Sequence, residues 1–166
     1  MRRDLATLSA IAAVIGVALS LVLGGCGPTD CLPEPEMDAT PPEVNVTVTV
    51  TSSNGTTRTI EHAAGDAPLS VDISSGSSVS VTYSAVDSSG LRSLSPGMTI
   101  HETVGVGVER RSVRIEPVRS ECPVASLSLR REVRGVRPGE SVVVTMVAEN
   151  WVGDIGTLES ATLRYR

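Results

Sequence analysis

From Glu43 to Thr51 apolar and polar residues alternate without a break. Val44, Val46, Val48 and Val50 fall on one face, and Asn45, Thr47, Thr49 and Thr51 on the other. A period of two predicts a strand with one buried face. Asn54-Gly55 is a strong hairpin signal, so Thr56 to His62 is expected to return antiparallel. Leu69 to Ile73 reads as a short strand. Ser78 to Asp87 reads as the next, with Val79, Val81, Tyr83 and Ala85 inward and a turn at Ser88-Ser89-Gly90. Leu91 to Leu94 and Met98 to Val108 are expected as strands broken at Pro96-Gly97, followed by Ser112 to Ile115 and Ala125 to Leu129. After a turn at Arg137-Pro138-Gly139-Glu140, Ser141 to Asn150 and Leu158 to Tyr165 complete the set.

Composition agrees with this pattern. Aromatics are 2% of the 166 residues, with no Phe and one Trp, while apolar residues reach 40% and Val leads them. A branched Cβ suits a pleated surface, and the Val runs are separated by Ser, Thr, Gly and Pro. The expectation is an all-β chain with many turns and one domain.

The N-terminus follows another rule. Arg2 and Arg3 precede an apolar run from Leu5 to Leu23, which ends in Leu23-Gly24-Gly25-Cys26. A positive start, an apolar helix and small residues make a secretory signal. The last four residues resemble the bacterial lipobox. That resemblance implies that Cys26 is lipidated through its sulfur, that residues 1–25 are removed, and that the mature chain is held in the cell membrane on its extracytoplasmic face. Each buried CH₂ of the acyl chains would add roughly 0.8 kcal/mol. The other reading is an uncleaved signal anchor, since the run is long enough to span a bilayer.

Residues 26–42 read as a lipidated, acidic, Pro-rich tether, with Pro28, Pro33, Pro35, Pro41 and Pro42 among Asp30, Glu34, Glu36 and Asp38. Proline and like charge keep such a segment extended. With Cys26 lipidated, Cys31 and Cys122 are the remaining thiols. Beyond the membrane two such cysteines commonly pair; the alternative is two free thiols. A bond would clip the tether to the domain and shorten its free length to Gly27–Asp30.

One internal echo stands out. Ser78-Val79, Val81-Thr82, Ala85, Asp87 and Gly90 recur as Ser141-Val142, Val144-Thr145, Ala148, Asn150 and Gly153. The Ala-x-Asx-x-x-Gly corners resemble those of bacterial immunoglobulin-like and fibronectin type III-like domains. This resemblance implies that residues 43–166 form a single immunoglobulin-like antiparallel β-sandwich. The Cys pair and core Trp of antibody-type domains are absent.

Charge narrows the function classes. All 14 basic residues are Arg. From Cys26 onward there are twelve Arg against eighteen acidic residues, a net charge of −6. A general nucleic-acid binder would need the opposite balance. Residues 109–140 nevertheless hold eight Arg against five Glu. If Ser112 to Ile115 is a strand, Arg110 and Arg114 share a face with Glu116 and could meet anionic lipid or wall polymers; a solvated face with interleaved Glu is the plainer alternative. Trp151, in a loop at a sandwich tip, is a candidate anchor for a partner or a cap on the open core. Val143 and Val147 face away from Val142, Val144, Met146 and Ala148, and suggest a partner surface or a face covered by a loop. His62 and His101 lack ligand neighbours at metal spacing, and Asp87 and Asn150 read as turn residues in preference to Ca²⁺ ligands. No catalytic motif, metal site or cofactor signature is found. The expected function is a membrane-anchored envelope lipoprotein with a non-catalytic binding or structural module. The alternative is an accessory subunit of an envelope protein complex that docks by a sheet face or edge, with a cryptic enzyme behind both.

Overall fold

The strict alternation at Glu43–Thr51 builds a strand whose four valines are buried and whose polar residues lie on the outer face. That strand is β1 of a computed structural model that describes residues 31–32 and 40–166. The signal segment, Leu23 to Cys26 and most of the tether lie outside the described residues. The rest is all β: β2 Thr57–Ala63, β3 Leu69–Ile73, β4 Ser78–Val104, β5 Gly107–Val113, β6 Val118–Val133, β7 Ser141–Asn150 and β8 Ile155–Tyr165. They form one eight-stranded sheet in the order β2-β1-β4-β7-β8-β3, with β5 and β6 also paired to β4. The sheet curls nearly into a barrel. All pairings are antiparallel except β3 with β8, which run parallel.

The 27-residue β4 organises the sheet. Its first part, Ser78–Val86, lies between β1 and β6. From Leu91 onward β7 takes the place of β1, and from Met98 β5 takes the place of β6. The register shifts between Val86 and Leu91 and between Leu91 and Ser93 mark the bend. Its sharpness is measured by Tyr83, fully buried, whose hydroxyl donates to the Gly97 carbonyl at 3.3 Å. Fourteen residues of straight strand would hold those groups about 46 Å apart. Burial pushes the Tyr83 hydroxyl well above the usual tyrosine range.

The expected breaks at Gly90 and Pro96-Gly97 are therefore passed without leaving the strand. Pro96 is tolerated for a reason visible in the pairing. On the β6/β5 side, partners end at Leu94 and resume at Met98, so Pro96 sits where that side of β4 has no neighbour. Proline lacks a ladder donor and is found at such places. Conversely, Met98 to Val108 is not one strand. The chain turns at Gly105-Val106 into β5, because the Val-Gly-Val-Gly-Val sequence keeps its alternation straight through a hairpin.

The core is valine and leucine with few large side chains. Val46, Val48, Val81, Val142 and Val144 pack with Tyr83, Leu91, Leu94, Met146 and Leu163 inside the curled sheet. Side chains of β1, β4 and β7 supply most of it, which is why those strands show the clearest period of two.

Candidate functional site

The tether reaches the domain at Cys31. Its disulfide joins Cys122 in β6 with a Cα–Cα distance of 5.7 Å, within the usual range for such bonds. Cys31 also bridges Val124, and the Leu32 amide donates to the Pro123 carbonyl at 2.7 Å. Residues 31 and 32 thus lie along β6 through an isolated bridge, beside the bend of β4.

The same corner holds both copies of the echo. Asp87 Oδ1 accepts the Ser89 amide at 2.7 Å, and Asn150 Oδ1 accepts the Asp154 amide at 2.8 Å, so each side chain closes its own turn. The two also meet. Asn150 is fully buried, and its Nδ2 donates to Asp87 Oδ2 at 3.3 Å and towards the Thr40 carbonyl at 3.5 Å. Asp87 therefore faces an amide donor, an arrangement for holding corners together. Among the described residues no group of three or more His, Cys, Asp or Glu side chains could hold a metal ion.

Trp151 is stapled to this corner. Its backbone amide donates to the Gly90 carbonyl and its indole Nε1 to the Leu91 carbonyl, both at 3.0 Å. The residue remains 37% exposed. Its polar handle is used within the chain, so Trp151 is fixed against the bend of β4 while part of its surface stays outward.

The arginines divide. Arg114 Nε pairs with Glu116 at 2.8 Å, Arg134 pairs with Glu132, Arg130 reaches the Ser80 hydroxyl at 3.0 Å, and Arg111 reaches the Gly135 carbonyl at 3.0 Å. Arg110 lies on the exposed β5, opposite His101, and takes part in none of the ion pairs found among the described residues. Arg110 and Arg114 thus do not make one free basic face. On β7, Val147 is 41% exposed and Val143 is half-buried. They flank Thr145 on the outer face and lie opposite Ser95 and Thr99 of β4.

One cluster is not singled out by the sequence pattern. His62 is buried at the end of β2, with Nδ1 3.9 Å from Asp66 Oδ2. Together with Thr157 and Ser160 they line a cavity of about 280 Å³ between the β2–β3 turn and β8. The same Asp66 oxygen accepts the Ala63 amide at 2.8 Å. A base oriented by a carboxylate needs a hydrogen bond between them, and here the carboxylate serves the turn. The arrangement suits a structural pair. The sequence could have shown it only through the His62–Asp66 spacing, which a turn at Gly65 brings together. Neither a family model nor a curated protein matches this chain.

Proposed function

We propose that the chain is a membrane-anchored envelope lipoprotein whose β domain is a non-catalytic binding or structural module. The observation that carries this reading is Leu23-Gly24-Gly25-Cys26 at the end of an apolar run behind Arg2 and Arg3. A thiol there would become the lipidated first residue, the bilayer the first partner, and the extracytoplasmic face the location. The disulfide supports the reading from the other side, since such bonds persist in oxidising compartments. It fixes the domain four residues beyond Gly27, so the free leash would be Gly27 to Asp30.

We also read the domain as immunoglobulin-like. In favour are the valine core inside the curled sheet and two Asx corners that meet. A second reading, docking onto an envelope protein by a sheet face, is favoured by the exposure of Val147 on the outer face of β7. Binding to anionic envelope polymers retains Arg110 as its free cation.

Replacement of the thiol tests the main reading. Cys26→Ser should leave unprocessed precursor and abolish metabolic labelling with palmitate. Labelling equal to that of the parent chain would overturn it.

A further inference from the structure

β5 is the outlying strand of this sheet. It pairs only with β4, its other edge is unpaired among the described residues, and every one of its residues is exposed. It also carries an unbalanced charge pattern. Glu109 stands directly opposite Glu102 of β4, and Arg110 opposite His101. Like charges directly opposite each other oppose strand pairing, and neither carboxylate has an ion-pair partner among the described residues. Arg111 and Arg137 line the same hollow, but neither closes an ion pair with Glu102 or Glu109, and Arg111 donates to the Gly135 carbonyl instead. A further cation next to Glu109, on the open edge, would correct this, and Arg111 of a second copy can supply it by exchanging its Gly135 contact.

We propose that β5 pairs antiparallel with β5 of a second copy of this chain, with the two-fold axis at Arg110. Symmetry limits the registers. A two-fold axis normal to the sheet keeps each face on its own side, so a residue can meet only itself or residues an even number of positions away. Centring on Glu109 sets that carboxylate against itself. Centring on Arg111 sets Arg111 against itself and wastes Glu109 on Val113. Centring on Arg110 sets Glu109 against Arg111 of the second copy, twice, on one face. Each Glu102–Glu109 pair then gains a neighbouring guanidinium. The cost is one Arg110–Arg110 contact on the opposite face, where both side chains stand in water and diverge. Val108, exposed in the single chain, comes level with Ser112 of the second copy. An edge of seven residues gives a small interface, so the dimer is weak and concentration-dependent. The inference does not depend on lipidation.

Position-by-position cysteine trapping tests the register. Single cysteines at residues 108 to 112 are placed in the full chain, purified in detergent, and oxidised beside the parent chain, which sets the background. Only residue 110 faces itself, so Arg110→Cys should give the highest yield of disulfide-linked dimer. A maximum at another position, or no yield above the parent, would overturn the proposal. Charge exchange gives an independent readout by sedimentation. Glu109→Arg and Arg111→Glu should each weaken self-association about tenfold, and an equimolar mixture of the two variants should restore it as a heterodimer. Sedimentation of the mixture as monomers would also overturn it. All these positions are exposed, so each variant should keep the fold and the Cys31–Cys122 bond.

Discussion

Asp87 and Asn150 occupy the same place in two copies of one short pattern, yet the copies do different work. After Asp87 the chain stays in β4, bends and pairs with new neighbours. After Asn150 it leaves β7, closes a turn through Gly153, and returns as β8. The side chains divide along the same line. Asn150 sits where no water reaches, with both amide atoms engaged. Asp87 is half-buried and needs only to accept. An amide can donate and accept without charge, so it suits the inner position; a carboxylate is affordable at the outer one. A repeated local sequence therefore specifies a hydrogen-bonding corner, and the surroundings decide whether that corner ends a strand or bends it.

The largest effect should come from making the two corners alike. Asn150→Asp puts a second carboxylate against Asp87 and removes the donor to Thr40. It should cost about 3–5 kcal/mol, the range for an uncompensated buried charge, measured by denaturant unfolding at neutral pH. A loss below about 1 kcal/mol would mean that water enters the corner.

The glycines divide the copies next. Gly90 and Gly153 both have positive φ, +88° and +96°. A Cβ on Gly90 would come within 2.9 Å of Pro123 Cα, whereas one on Gly153 meets nothing within 4 Å. Gly153→Ala should cost about 1–2 kcal/mol for backbone strain alone. Gly90→Ala should add about 1–3 kcal/mol of overpacking against β6. Equal losses would show that β6 yields freely at the bend.

Trp151→Phe keeps the ring but removes the donor to the Leu91 carbonyl. It should lower stability by about 1 kcal/mol, read from the unfolding midpoint. Asp87→Asn is expected to be the mildest change, within about 1 kcal/mol: its amide oxygen can still accept from Ser89, and Asn150 Nδ2, which loses Asp87 Oδ2, keeps the Thr40 carbonyl. If it proves as costly as Asn150→Asp, the inner and outer roles have been assigned the wrong way round.

How much of this was legible in the chain depends on burial. The bounds of β1, β3 and β7 follow from the sequence, because β1 and β3 set a row of buried residues against polar ones and β7 is an apolar run closed by a turn at each end. β4 was divided, since Gly90 and Pro96-Gly97 are locally breakers, and only pairing with β6, β7 and β5 carries the strand across them. The extents of β5 and β6 are not legible, for the opposite reason. β5 has no buried face to impose a pattern, and the burial of β6 is partial. The parallel partnership of β3 and β8 joins residues far apart, and no local period announces it. At the candidate site, the pairing of Cys31 with Cys122 was readable from thiol counting. The meeting of Asp87 with Asn150 was readable only as an echo.

The sulfur bridge also determines how the molecule would bear a mechanical load. A pull on the N-terminal segment passes from Cys31 directly to Cys122, and the covalent path through β1 to β5 is bypassed. The force emerges partway along β6, which lies lengthwise against β4 over many residues. Drawn along its axis, β6 must shear its hydrogen bonds together, a far more resistant geometry than peeling them apart in sequence.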